Sequence, residues 1–125
     1  MSGNNLSGGA LYIAWKFDTA DGAPSASAAA ERVWNRLSRG ERLHLFRLRS
    51  RVFVNGEVRA LLLPVAPLER IAAAINEPGA NPVASRWVKT ARECAVLARE
   101  IEAVPVNLGL AQRPEQWRLS SAAAD

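Results

Sequence analysis

Residues 11–17 alternate between large apolar side chains and small or polar ones, which predicts a strand with one buried face. The buried face would contain Leu11, Ile13, Trp15 and Phe17. A cluster of turn-forming residues follows at 19–24, and apolar residues then recur at helical spacing. This pattern predicts an amphipathic helix, with Ser25 or Ser27 as its N-cap and Gly40 directly after its last turn.

Residues 43–63 predict a β-hairpin, because the dipeptide Asn55-Gly56 lies between two β-rich runs. A two-residue loop would place Val54 opposite Glu57 and mix apolar and charged side chains on one face. A three-residue loop with Gly56 in the left-handed conformation separates them, so this register is favoured. In that register one face of the first arm presents Arg47, Arg49, Arg51 and Phe53.

The second half of the chain predicts two helices and a last strand. Pro67 suits the first turn of a short helix over residues 67–76. A longer helix would begin after Pro82 and end before Pro105, because apolar residues follow helical spacing between them. That apolar stripe consists of Val83, Trp87, Ala91, Cys94, Ala98 and Ile101. Residues 106–110 would form the final strand.

This order of elements predicts a single α+β domain, a ferredoxin-like βαββα(α)β two-layer sandwich with a central β-hairpin. In this arrangement helices cover one face of the sheet and leave the other accessible. A length of 125 residues excludes two full domains. The composition of the ends predicts a flexible N-terminal tail over residues 1–9, an ordered domain over 10–119 and a flexible C-terminal tail over 120–125.

A strand that ends in Phe17-Asp18, a helix, and a hairpin that contains residues 51–57 follow one another in the first half of the chain. This half resembles the small ferredoxin-like proteins of the CRISPR-associated and VapD kinds. The resemblance covers residues 11–60 at most and implies the same fold for them. Residues 61–103 depart from that pattern by Pro64 and Pro67 and by a long helix, so no nuclease or integration role is carried over.

Positive charge is concentrated in one part of the sequence. The whole chain carries 16 basic and 12 acidic residues, a net charge of +4, and 14 of the basic residues are arginine. Residues 31–59 alone hold eight arginines and three glutamates, a net charge of +5. The rest of the chain is nearly balanced. The excess charge therefore belongs to the first predicted helix and the hairpin.

The arginines of the hairpin favour a phosphate-rich ligand. Side chains at every second strand position repeat at roughly 6.6–6.8 Å, which resembles the spacing of phosphates along a nucleic-acid strand. Arginine binds phosphate through a bidentate fork and stacks on bases. We therefore predict a non-enzymatic protein that contacts the phosphate backbone of nucleic acid, single strands included. The predicted binding residues are Arg47, Arg49, Arg51, Arg36, Arg39, Arg42, Tyr12, Lys16 and Phe53.

Two other interpretations of the same residues stay open. An acidic protein surface would also bind arginine and aromatic side chains, so the chain could be an inhibitor or accessory subunit of a nucleic-acid-handling complex, with Trp117 as an interface anchor. Exposed arginines on a strand also protect it against aggregation without any partner. An exposed edge strand could pair with a second copy to form a homodimer.

Few residues suggest chemistry. Cys94 lies on an apolar stripe and is expected to be a buried small side chain, and His44 is the only histidine. Asp18, with Asp21 three residues later, is a weak candidate for Mg²⁺ binding and phosphodiester cleavage. No cofactor and no metal site are predicted. The sequence shows no signal peptide and no membrane span, so a cytoplasmic location is expected.

Overall fold

The computed structural model describes residues 5–17, 24–54, 56–78 and 82–117. These residues form a four-stranded sheet and three α-helices. In chain order the elements are β1 (Asn5–Lys16), α1 (Pro24–Arg42), β2 (Phe46–Val54), β3 (Glu57–Pro64), α2 (Leu68–Ile75), β4 (Pro82–Thr90) and α3 (Ala91–Asn107), with a 3₁₀ turn at Pro114–Gln116. None of the described helices is both long and apolar enough to cross a membrane.

The strands lie in the order β2-β3-β1-β4, and every neighbouring pair is antiparallel. Helices α1 and α2 pack on one face of the sheet through Val33, Leu37, Ile71 and Ile75. This is the strand order and layering of a ferredoxin-like α/β sandwich. The predicted α+β fold with a central hairpin is confirmed.

The other face of the sheet is not open, because α3 packs on it. A second core joins α3 to β2, β3, β1 and β4. Its buried members are Ala10, Val52, Val54, Leu61, Val88, Cys94, Leu97, Ala98 and Ile101. The prediction of an accessible, helix-free face is therefore wrong for the part that α3 covers.

The first two elements follow the predicted pattern but extend further. The alternating residues of β1 pack in the α1 side of the sheet, as expected, and the strand begins at Asn5 inside the segment assigned to a tail. Helix α1 begins at Pro24 and continues through Gly40 to Arg42. A Cβ atom at position 40 would clash with the ring of Phe46. Gly40 therefore permits a close contact between α1 and β2 and does not end the helix.

The hairpin has the register that the sequence disfavoured. Val54 pairs with Glu57, so the loop has two residues, and Gly56 has a φ of 76°. A register shift between Leu48 and Ser50 marks a β-bulge. The three-residue loop was favoured on the assumption that one face is solvated. Because helices cover both faces of β2, apolar side chains are needed on each, and the assumption fails.

The predicted long helix after Pro82 is wrong in its first half. Residues 82–90 form β4, which pairs with β1, and α3 begins only at Ala91. The Thr90 hydroxyl accepts a hydrogen bond from the Glu93 backbone N–H at 3.1 Å and caps α3. Trp87, predicted on the apolar stripe of this helix, lies on β4 and is 38% exposed.

The predicted last strand at residues 106–110 is also wrong. Helix α3 includes Pro105 and ends at Asn107. The Leu110 N–H donates to the Pro105 carbonyl, and the Gly109 N–H donates to that of Val106. With Gly109 at a φ of 75°, these bonds form a Schellman motif that ends the helix.

Candidate nucleic-acid interface

A basic depression of about 550 Å³ lies between α1 and α2. Its α1 wall carries four arginines at intervals of three or four residues, the spacing that places side chains on one side of a helix. We call this depression the α1–α2 groove. Its lining residues include Arg32, Asn35, Arg36, Arg39, Arg42, Leu43, Ala73, Ala74 and Glu77.

Glu77 lies at one end of the groove and joins two of the arginines. Its Oε2 accepts a hydrogen bond from Arg32 Nε at 3.0 Å, and its Oε1 accepts one from Arg36 Nε at 3.1 Å. Glu77 is only 6% exposed, whereas the side chains of Arg32 and Arg36 are 53% and 38% exposed. The buried carboxylate is therefore bonded to two arginine side chains that are partly exposed to solvent.

The protonation of Glu77 is set by two opposing effects. Burial alone would raise the pKa of Glu77, but the hydrogen bonds and positive charges of Arg32 and Arg36 outweigh it. The net result is a pKa below the ordinary value. Glu77 is consequently ionised at neutral pH, and it holds both arginines through charge-assisted hydrogen bonds.

Arg39 and Arg42 continue the arginine row towards the end of α1. Both are exposed, and neither forms a salt bridge within the described residues. They lie in the last turn of α1, where positive charge also interacts favourably with the helix dipole. The groove thus combines two arginines that are held by Glu77 with two arginines that are exposed to solvent.

The sequence had predicted that the arginines of β2 share one face, but in the structure they do not. Arg51 lies against α1, with its guanidinium carbon 3.9 Å from the centre of the Trp34 ring. It donates hydrogen bonds to the Trp34 carbonyl at 3.0 Å and to Ser38 Oγ at 2.8 Å. Arg47 and Arg49 are exposed on this edge strand, and the register shift lies at Arg49. The bulge therefore separates Arg51 from the other two.

The three remaining residues of the predicted interface also lie apart. Tyr12 packs against the α3 core and is partly buried, whereas Phe53 packs on the other side of the sheet with its ring 6.3 Å from that of Trp34. Lys16 is exposed at the end of β1. The structure does not bring these residues together as a stacking platform, although a role of each in binding stays a prediction.

Trp117 is engaged within the chain itself. Its indole N–H donates to the Phe53 carbonyl at 2.8 Å, and its ring packs against the α3 core. The residue is partly buried. Its predicted role as an anchor for a partner is untested.

The candidates for chemistry are placed as follows. Cys94 is buried, and burial raises the pKa of its thiol, with the charge of Arg49 partly opposing the shift. His44 is exposed in the turn after α1 and has a positive φ of 59°. Asp18 and Asp21 lie outside the described residues. Within the described part of the chain, no group of three His, Cys, Asp or Glu side chains could hold a metal ion.

Sequence reasoning identified Arg36, Arg39 and Arg42 but missed Arg32, Asn35 and Glu77. The spacing of Arg32 relative to Arg36 would have added it to the row, because residues four apart share a helix face. Glu77 has no such signal, since it is 41 residues from Arg36 in the chain. Only the packing of α2 on α1 brings the two together.

No protein-family model matches the chain, and no curated protein matches it in sequence. A solved structure has a similar fold: a REP-associated tyrosine transposase bound to a REP hairpin. The two have a TM-score of 0.65 and 9% sequence identity. The match covers 97% of this chain and 81% of the transposase chain. At this identity the similarity shows a shared fold alone.

Proposed function

We propose that this protein binds nucleic acid through its phosphate backbone and that the α1–α2 groove is the main contact surface. The observation that carries the proposal is the row of four arginines on one wall of the groove. Guanidinium groups bind phosphate through two parallel hydrogen bonds, which gives such a row a preference for phosphodiesters over simple anions. The proposal assigns a binding role and no reaction.

The distribution of charge supports this choice of surface. The excess of positive charge lies in residues 31–59, and the four groove arginines are half of the arginines in that segment. Arg47 and Arg49 add exposed charge on the β2 edge. Phosphate neutralisation releases counterions from nucleic acid, so binding through these side chains would weaken steeply with salt.

The structural neighbour adds weaker support. That transposase is bound to a REP hairpin, which is consistent with a nucleic-acid partner for a protein of this fold. The likeness of fold says nothing about which surface of the present chain makes contact. The α1–α2 groove is chosen on its own charges and geometry.

The test is a fluorescence anisotropy titration with labelled single-stranded DNA, double-stranded DNA and single-stranded RNA at several salt concentrations. We expect the double variant Arg39→Ala/Arg42→Ala to bind more weakly and to reduce the slope of log K against log salt by about one per arginine. These two side chains are exposed, so their removal should leave the fold intact.

The matched control is Arg92→Ala/Arg99→Ala, which removes two exposed arginines from α3, on the opposite side of the sheet. It should keep the wild-type slope. Absence of binding to all three probes at low salt would overturn the proposal, and equal losses in both double variants would overturn the choice of surface.

Beside the groove, a specific observation favours a protein partner as the second candidate. Leu43 is 56% exposed and lines a second depression with Leu45, Arg70, Ala73 and Ala74. An acidic protein with an apolar side chain at its centre would fit this surface, since interface hot spots combine apolar anchors with arginine contacts. This candidate predicts that a protein partner is still captured by the wild type after nuclease treatment. It also predicts that the variant Leu43→Asp no longer captures that partner.

A further inference from the structure

The negative charge of Glu77 is unexpected on a surface that is proposed to bind phosphate. A carboxylate normally repels phosphate, and its removal makes the surface more positive. Here the carboxylate is almost fully buried, and each of its oxygens accepts one arginine Nε–H. Each guanidinium has five N–H donors, and the bond to Glu77 uses one of them, so four donors on each arginine do not take part in this bond.

We propose that Glu77 is a positioning residue that fixes Arg32 and Arg36 in the orientation that binds a nucleic-acid phosphate. This inference rests on the function proposed above and adds a residue that does not itself touch the ligand. Glu77 holds the Nε side of both guanidinium groups, and both side chains are partly exposed and line the groove.

The physical basis is the entropy of long side chains. A free arginine side chain loses conformational entropy when a ligand immobilises it, and this loss weakens binding. Arg32 and Arg36 are ordered by Glu77 before any ligand arrives, because the carboxylate is buried and bound by both. The planar guanidinium then presents its remaining donors in a fixed direction, which a lysine in the same place would not do.

Glu77 is itself held by the fold and can serve as a fixed point. It follows α2 by two residues, and α2 is anchored in the α1-side core by Ile71 and Ile75. The bonds from Arg32 and Arg36 therefore connect the row on α1 to the packed end of α2. Arg39 and Arg42 have no such support among the described residues.

The variant Glu77→Gln distinguishes a positioning role of Glu77 from a purely electrostatic effect of its charge. The variant loses one negative charge, so an electrostatic effect alone would tighten binding. If Glu77 positions the arginines, binding of a labelled oligonucleotide should instead weaken by about fivefold, because both side chains must be ordered by the ligand. The slope of log K against log salt should also fall, because part of the bound population then lacks the phosphate contacts of Arg32 and Arg36. A loss of folded protein alone would leave the slope unchanged.

The control for the change in charge is Glu100→Gln, which neutralises an exposed glutamate on α3. Its affinity should equal or slightly exceed that of the wild type. Thermal denaturation and circular dichroism on each variant establish whether it is folded at the assay temperature.

A second pair of variants decides the matter if Glu77→Gln does not fold. Arg32→Lys/Arg36→Lys keeps the charge but removes the planar donor groups, and it should bind about threefold or more weakly than the wild type. Arg92→Lys/Arg99→Lys on α3 is its control and should bind like the wild type. Equal affinity of the groove pair and the wild type would overturn the inference.

The outcomes distinguish this inference from the proposed function. If the wild type binds no nucleic acid, the proposed function fails. If the wild type binds and Arg39→Ala/Arg42→Ala weakens binding, but Glu77→Gln binds as well as or better than the wild type, the function stands and Glu77 is not a positioning residue.

Discussion

Arg51 shows that the charge of a residue does not determine whether it is available to a ligand. Its guanidinium stacks on Trp34 and donates to the Trp34 carbonyl and to Ser38. Burial lowers the pKa of Arg51, and the nearby charge of Glu41 partly opposes that shift. These contacts connect α1 to β2, so we assign Arg51 to the stability of the fold.

Arg51→Ala should lower the free energy of unfolding by about 2 kcal/mol, because it removes charged hydrogen bonds and a cation–π contact. Urea denaturation would measure the change. Arg49→Ala is the matched control on the same strand, and as an exposed residue it should change the free energy of unfolding by less than about 0.5 kcal/mol. A similar small effect for both would contradict the role assigned to Arg51.

The junction of β4 and α3 contains an N-cap hydrogen bond at the start of α3. The segment Thr90-Ala91-Arg92-Glu93 has the spacing of a capping box, in which the first side chain accepts the backbone N–H of the fourth residue. This signal was present in the sequence. The apolar residues Val83 and Trp87, four apart, suggested instead that the helix had already begun.

Thr90→Ala should lower the free energy of unfolding by about 1 kcal/mol, because the backbone N–H at the start of α3 loses its acceptor. Thr90→Ser keeps a hydroxyl and should retain most of the stability. Ser85→Ala, at an exposed position of β4, is the control for a lost hydroxyl within the strand. Chemical denaturation compares the three variants, and equal stabilities for Thr90→Ala and wild type would exclude a capping role.

The elements that the sequence predicted well are those whose two sides differ clearly in composition. The helical spacing in α1 and α2 survives because each helix buries a single stripe, and the alternation in β1 survives because its largest apolar residues face α1 whereas Ala10 and Tyr12 face α3. The register of the hairpin was not predictable in this way. Val52 and Val54 pack under α3, while Phe53 packs towards α1, so neither face of β2 shows a simple polar pattern.

For the molecule as a whole, the pH dependence of stability tests the link between α1 and α2. The pKa of Glu77 is lower in the folded protein than the ordinary value of 4.5. A lowered folded pKa means that the stabilising contribution is present above the unfolded value and is lost as the pH falls through the folded value. The arginine contacts of Glu77 should therefore stabilise the protein at neutral pH and weaken in acid.

We expect Glu77→Gln to be less stable than the wild type at pH 7, and the difference in free energy of unfolding to shrink progressively below about pH 4. Urea denaturation from pH 3 to pH 7 would measure it. Glu100→Gln is the control, because this exposed α3 residue makes no salt bridge with any described residue. A stability difference for Glu77→Gln that is equal at pH 3 and pH 7 would contradict this account.

The candidate site was predictable only to the extent that it is local. Arg36, Arg39 and Arg42 follow from their spacing on one helix. Their opposing wall, from Ala73 to Glu77, depends on how α2 packs, and the hydrogen bond from Arg32 to Glu77 spans 45 residues of chain. Charge concentration can be counted in a sequence, whereas the pairing of distant side chains requires the fold.

The position of β1 in the sheet affects the order in which the protein can assemble. β1 is the first of the described strands, yet its partners among them are β3 and β4, which come much later in the chain. The β2–β3 hairpin can form from neighbouring residues, but the centre of the sheet must wait until a long loop has closed. During synthesis, β1 therefore leaves the ribosome well before either of its partners, and the four-stranded sheet is completed only when β4 has been made.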